Sequence, residues 1–422
     1  MVKLGLLILV STLFSFQMIA QEAIVKELKI QGNKKLKSSF INKIATVKSG
    51  AVLDSVAIEN DIRRLKRLPS VSHAYFQVLQ SEEEKNYDVL YHIEENFTII
   101  PSVNFYTSND NEFAFRLGLY EFNLFGRNII FGGFYQKDIY NSHGLNFRAP
   151  NLFNRKLGLA LNYQNLVTQE PVFFDNNTAD YKYKNKSYEV LGLYEFDFKN
   201  RIELGINYFS EDYKYIEGIT NDEVPLNLKV KKLLYKAIYE YNSLDYFYQY
   251  VSGFKSVLNF QYVTATSDDL PEFFIGWNDF LYFKRFGKKG NWANRARVGF
   301  STNVNSPFAP FSVDNNVNIR GVGNTIDRGT ADIVINSEYR HTVFEKNWFV
   351  LQSNVFIDAG TWRNPGGDFG DFSSSDNIRI HPGFGLRFMH KSIYNATFRI
   401  DYGFGVTKND AKGLVFGIGQ YF

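Results

Sequence analysis

The sequence predicts a small α+β domain, ordered β-α-α-β-β, followed by a sixteen-stranded antiparallel transmembrane β-barrel. Three observations predict it. After an apolar leader, no stretch is apolar and long enough to cross a membrane as a helix, so any span must be made of strands. Aromatic residues are abundant, with Phe 41 and Tyr 27, and aromatics both favour strands and belt the rims of membrane barrels. From Phe97 onward period-two alternation dominates, with one face large and apolar and the other polar, charged or glycine.

Composition narrows the function classes. A chain of 422 residues accommodates one large and one small domain. The net charge of +3 is too small to argue for nucleic acid. The absence of cysteine excludes disulfides, thiolate metal sites, cysteine nucleophiles and a lipoprotein anchor. Six scattered histidines show no paired metal spacing. There is no Gly-x-Ser-x-Gly and no Ser/His/Asp set suited to a membrane lipase. Gly321-Val322-Gly323 lacks the strand-turn-helix setting of a phosphate loop. The expectation is a protein that is not an enzyme and uses no cofactor.

Residues 1–20 read as a secretory signal peptide, with Lys3 before an apolar centre and the small Ala20 at the cut. Residues 21–96 have a different period from the rest. Leu28 and Ile30 alternate in a short strand closed by Gly32-Asn33. Ser38 or Ser39 can cap a helix carrying Phe40, Ile44 and Val47 at helical spacing. Asp54 or Ser55 can cap a second, with Ile58, Ile62, Leu65 and Leu68 in one stripe, ended by Pro69. Its basic residues Arg63, Arg64, Lys66 and Arg67 read as a solvated helix face rather than a nucleic-acid site. Two strands follow, one with Ala74, Phe76 and Val78 on a face and one with Val89, Tyr91 and Ile93. The module resembles a polypeptide-transport-associated (POTRA) domain, on the strand ending in Ile-x-Gly-Asn and the Ile-x-x-Leu-x-x-Leu before Pro69. The resemblance implies capture of extended chains by strand addition to a sheet edge. From the residues alone, a small packing domain with no client remains open.

Residues 97–422 divide into sixteen candidate strands, near 98–106, 112–121, 128–137, 143–149, 157–165, 186–198, 201–212, 229–241, 253–264, 275–286, 293–302, 330–341, 348–360, 378–389, 394–404 and 413–422. The number is even, as single-chain bacterial barrels require. If the chain enters from the periplasm, the connections after the fifth, seventh, eleventh and thirteenth strands are long outer loops, whereas 198–201 and 389–394 are short turns. The segment 241–253 breaks that pattern.

Asn123-Leu124-Phe125-Gly126-Arg127-Asn128 and Pro150-Asn151-Leu152-Phe153-Asn154-Arg155 sit at turns. Both look like periplasmic turns of the superfamily that includes the assembly factor BamA, the Tam translocation factor and two-partner-secretion transporters. Ile319-Arg320-Gly321-Val322, in the sixth outer loop near 303–329, resembles that superfamily's Val-Arg-Gly-aromatic motif, without the aromatic. Phe356-Ile357-Asp358-Ala359-Gly360 matches its motif on the thirteenth strand. The resemblance implies a bacterial outer-membrane protein with its POTRA domain in the periplasm. Its implied partners are unfolded outer-membrane or secreted polypeptide clients, outer-membrane lipid and accessory assembly subunits. One POTRA domain is few for a general assembly factor. A dedicated secretion pore for one partner, or a passive channel or receptor, stays open.

Two sites are expected. In the thirteenth strand Gln352, Asn354, Phe356 and Asp358 share a face, and in the twelfth Asn336, Glu338 and Arg340 do. Both faces point into the lumen. By spacing alone, Arg320 either folds in to pair with Asp358 or lies on an exposed loop. The resemblance implies the pair, with Glu338 nearby, Gly321 and Gly323 bending the loop and Gly360 in the strand motif. The second site is the lateral seam between first and last strands. Pro101 removes one ladder donor, and Gly417 and Gly419 remove side-chain packing. Leu414, Phe416, Ile418 and Phe422 share the outward face of a terminal assembly signal. Either this seam opens easily, or Pro101 marks the domain junction and the glycines suit a crowded wall.

Overall fold

The computed structural model describes residues 22–82, 85–107, 113–174, 177–220, 222, 224–265, 271–306, 309–313, 318–322, 327–407 and 411–422. The expected signal peptide and Gly323 lie outside the described residues.

The N-terminal unit is built from β1 (Ile24–Gln31), α1 (Ser38–Ile44), α2 (Ser55–Lys66), β2 (Val71–Gln80) and β3 (Asn86–Glu95). The central β3 runs parallel to β1 and antiparallel to β2. Asp54 caps α2 by accepting the Val56 and Ala57 N–H groups. By contrast, α1 starts from Lys37 with no side-chain cap, so neither Ser38 nor Ser39 performs the expected role. The helices bury Phe40, Ile41, Ile58, Ile62 and Leu65 against Val89, Tyr91 and Ile93 of the sheet. A buried charge, Asp61, is satisfied by the Thr46 and Val47 amides and the Tyr91 hydroxyl. Burial, reinforced by this carboxylate, raises the Tyr91 phenol above its usual value.

The wall comprises β4 (Ile99–Thr107), β5 (Phe113–Leu124), β6 (Ile129–Lys137), β7 (Asn141–Ala149), β8 (Leu157–Phe174), β9 (Asn177–Glu195), β10 (Asn200–Gly218), β11 (Asn227–Asn242), β13 (Tyr250–Ala265), β14 (Phe273–Phe286), β15 (Gly290–Ser301), β18 (Ala331–Lys346), β19 (Phe349–Arg363), β20 (Ile378–His390), β21 (Thr397–Phe404) and β22 (Lys412–Ile418). These sixteen strands form an antiparallel barrel whose order returns from β22 to β4. β12 (Asp245–Phe247) folds back on β13 within the segment that had broken the turn pattern, so the count survives. β16 (Phe311–Val313) and β17 (Asp327–Gly329) pair with each other in the long loop. Leu204, Ile206, Val355, Ile357, Phe398 and Phe416 are exposed on the outer face, whereas Glu203, Arg295, Asn336 and Asp401 are buried within. That inversion of a soluble core is what a barrel in lipid requires.

Three strands, β8, β9 and β10, run well past their expected ends. β8 pairs with β9 continuously from Leu157↔Tyr194 to Phe174↔Asn177, and β10 with β11 from Asn200↔Tyr241 to Lys214↔Asn227. The long outer loop expected after the fifth strand is therefore ladder. Nineteen residues of β9 rise about 60 Å at ~3.3 Å each, well beyond an apolar band of about 25 Å. The far halves of β9 and β10 are rich in Lys, Asp, Glu and Tyr, so the apolar alternation fades there while the hydrogen bonding continues. A local cluster of Val172, Ala179, Tyr181 and Val224 supports these projecting hairpins.

Candidate functional site

The structure brings Arg320 and Asp358 together inside the barrel. The Arg320 guanidinium donates from Nε to Asp358 Oδ2 at 2.8 Å and from Nη2 to Asp358 Oδ1 at 3.0 Å. Its backbone N–H reaches the same carboxylate at 3.0 Å. Nη1 donates to Glu338 Oε2 at 2.5 Å and lies 3.5 Å from Asp401 Oδ2. Arg320, Glu338 and Asp358 are all fully buried. The two-residue step from Phe356 to Asp358 puts ring and carboxylate on one strand face, and the Phe356 ring lies 3.5 Å from the guanidinium carbon. A planar, permanently charged fork suits this set of in-plane carboxylates and a ring face, and a lysine could not satisfy it.

The loop is held on both sides of Arg320. Asn336 Nδ2 donates to the Asn318 carbonyl at 2.8 Å and to Asp358 Oδ1 at 2.9 Å. Arg295 Nη2 reaches Asn318 Oδ1 at 3.2 Å. Gly321 adopts φ +90°, and a Cβ there would collide with the Gly403 carbonyl, so the loop backbone lies directly against β21. Gly360 leaves room for the Ile319 side chain. Where the motif lacks an aromatic, Val322 joins an apolar cluster with Val313, Ile319 and Trp362.

Sequence reasoning missed part of this network. Arg387 donates to Glu338 Oε2 at 2.8 Å and Asp401 Oδ1 at 3.3 Å, and Arg340 to Glu338 Oε1 at 2.6 Å. Arg387, Arg399 and Asp401 all stand at inward positions of β20 and β21. Charges recurring on the lumen face were the available signal.

At the seam, the sheet order sets β4 beside β22, and β22 has only seven residues in which to pair. Pro101 stands in β4 opposite Leu119 of β5. Gly417 lies opposite Arg399, whose guanidinium a Cβ would strike. That fits the crowded-wall reading of this glycine. The expected outward row is overturned at its end. Leu414, Phe416 and Ile418 are exposed, but Gly419 takes φ +89° and the chain leaves the sheet. Phe422 then packs beside Leu244, Phe283 of β14 and Ala293 of β15 instead of facing outward. Only the left-handed backbone at Gly419 makes this change of direction possible, and period-two reading assumes it away.

The N-terminal domain is docked on the barrel turns. Lys37 donates its amide to the Gly126 carbonyl at 3.0 Å, placing the turn of Asn123, Gly126 and Arg127 against the domain. Asn123 Oδ1 accepts the Asn128 amide at 2.9 Å, and Arg127 lines a cleft with Phe40 and Lys43. Lys43 reaches the Asn151 carbonyl at 2.8 Å. Three residues of the basic run expected to be solvated, Arg64, Lys66 and Arg67, instead form the interface. Arg64 pairs with Glu195 at 2.6 Å and Lys66 with Asp245 at 3.1 Å. Arg67 donates to the carbonyls of Phe198, Asn242 and Leu244, and its guanidinium lies 4.2 Å from the Phe198 ring. This burial lowers the Arg67 value to about 10.

His73 stacks on Tyr248 with ring centroids 4.8 Å apart. Burial lowers its imidazole below the usual range, opposed by Glu94 and Asp245 and reinforced by Lys66. The docked state therefore favours the neutral ring. Docking is strongest above the ordinary histidine value of about 6.5 and weakens as pH falls through it. Spin labels on the two units should report more separation at pH 5.5 than at 7.5. The variant His73→Phe should flatten the profile; an equally steep one would exclude this histidine as the cause.

Comparison with known proteins fits this architecture. Residues 23–96 match the family model "POTRA: Surface antigen variable number repeat". No curated protein matches the sequence. Among solved structures, the chain is similar to CdiB from Escherichia coli, with a TM-score of 0.63 and 11% identity over 93% of this chain and 75% of that one. CdiB from Acinetobacter baumannii gives 0.61 and 13% identity, over 95% and 74% of the two chains. BamA from Haemophilus ducreyi lacking POTRA domains 1-3 gives 0.52 and 15%, over 93% and 83%. At these identities the likeness is one of fold. Residues 23–96 are thus a POTRA domain, and the whole chain shares the fold of CdiB and BamA, a POTRA domain followed by a sixteen-stranded barrel.

Proposed function

We propose that the protein inserts or translocates other polypeptides at the bacterial outer membrane, with its POTRA domain in the periplasm. The observation that carries this reading is a free sheet edge on a domain docked at the barrel mouth. Of the two edges of the N-terminal sheet, β1 is occupied by residues 51–53, through Val25 N–H to the Ala51 carbonyl and Leu53 N–H to the Ala23 carbonyl. β2 is a ten-residue strand that pairs only with β3 among the described residues, and it exposes Tyr75, Val78 and Leu79. Such an edge templates an extended chain through backbone hydrogen bonds, with pockets for alternate side chains. A client bound there would stand beside the barrel turns and pass to the lumen or to the β4–β22 seam. Client folding and burial would supply the driving force, and no nucleotide is needed.

The test is quantitative outer-membrane proteomics after depletion of the protein. Broad loss of barrel proteins is expected for a general assembly role, and loss of one or a few exported proteins for a dedicated translocator. An unchanged outer membrane, together with steady conductance of the purified barrel, would replace this reading with a passive channel.

A further inference from the structure

We propose that residues 420–422 form a latch that ties the seam strand β22 to the pinned loop, with the Tyr421 ring supplying the aromatic that the loop motif lacks. After Gly419, whose amide donates to the Thr397 carbonyl at 2.7 Å, three successive residues each meet a buried arginine of the lumen. Gln420 Oε1 accepts from Arg387 Nε at 3.1 Å. The Tyr421 ring lies 4.6 Å from the Arg320 guanidinium carbon and 4.8 Å from that of Arg399. The Phe422 ring lies 5.6 Å from that of Arg340 and packs beside Leu244 and Phe283.

The geometry of Arg320 explains why a ring belongs there. Its in-plane donors go to Asp358 and Glu338, which leaves its faces to aromatic rings. Phe356 supplies one ring from β19, and Tyr421 supplies a second from the end of β22. A ring face attracts a guanidinium more strongly where water is excluded. Tyr421 is thus a positioning residue. It acts on the loop through Arg320 while also facing Arg399 of β21, and it makes the seam strand and the loop members of one network. Displacing the end of β22 removes a ring from Arg320, and releasing the loop removes one of the two cations from Tyr421, leaving Arg399. Leu244 extends the network, because its side chain packs near Phe422 while its carbonyl accepts from Arg67 of the docked domain.

A coupling of this kind is reciprocal, and hydrogen exchange on the full chain in lipid nanodiscs reads both directions. In Tyr421→Leu, exchange of the loop amides 318–322 is expected to rise about fivefold, the size of a partly buried cation–π contact, with β8–β11 unchanged. Tyr421→Phe keeps the ring face and should stay near wild type. In Arg320→Lys, amides 412–419 should exchange faster. Unchanged loop exchange in Tyr421→Leu would overturn the latch, as would equal acceleration by Leu and Phe. If Tyr421→Leu fails to fold, Arg320→Lys decides, and unaltered exchange at 412–419 overturns the proposal. The latch's role in gating rests on the proposed transport function, but the exchange readout does not. A failed depletion experiment and a failed latch are therefore separate results.

Discussion

Replacing Arg320 with alanine is expected to free the loop from the lumen and abolish most transport while leaving the barrel folded. Losing one partner of a fully buried ion pair costs about 3–5 kcal/mol, chiefly because the other charge is stranded. The stranded group here is Asp358. Glu338 retains Arg340 and Arg387, and Asp401 retains Arg387 and Arg399. Among the described residues, no second cation stands within ion-pair distance of Asp358. The wall itself is held by sixteen strands whose ladders do not include Arg320. The variant should therefore keep the compact, heat-modifiable migration of a folded barrel on electrophoresis while its loop becomes accessible to protease. Asp358→Ala should release the loop at least as fully, since the Arg320 amide also loses its acceptor. Removing both residues should cost less than the sum of the single changes. Wild-type transport by Arg320→Ala would remove the lock from the mechanism.

Replacing Arg67 with alanine is expected to undock the POTRA domain. One guanidinium serves three carbonyls on two separate turns and stacks on Phe198. Hydrogen bonds from a charged donor contribute about 1.5–3 kcal/mol each when well placed. Because the site is partly solvated and the bonds share one group, a total on the order of 3 kcal/mol is expected, enough to shift the docked population by about a hundredfold. Lysine should rescue poorly, since a single ammonium cannot span the fork. Electron-electron distance measurements between labels on α2 and on the turn at 196–199 would show a broadened, longer distribution in Arg67→Ala. An unchanged distribution would mean that Arg64–Glu195 and Lys66–Asp245 hold the domain without it.

Much of this molecule is legible in one dimension. The order β-α-α-β-β follows from a capped helix stripe and two alternating strands, and of the two cap candidates, Asp54 and Ser55, the structure uses Asp54. Sixteen strands are countable because each must present apolar residues outward. The same alternation places Glu338 and Asp358 on the inner face before any contact is known. Period two states which face a residue occupies, and nothing about what stands across the lumen from it. The far ends of β8, β9 and β10 do not follow from the alternation because beyond the apolar band neither face needs to be apolar. The basic run on α2 reads as solvated because a docking face for backbone carbonyls carries the same charges as a wet one. Tyr421 and Phe422 turn inward because the backbone bends at Gly419, a choice that no side-chain pattern records. Arg320 meets Asp358 across 38 residues, and meets Tyr421 as well, only because barrel closure carries β18 to β22 around one narrow lumen. Composition and period set the wall and its inner face. Long-range closure of the sheet, which confines a few charges away from water until each finds a partner, sets the lock.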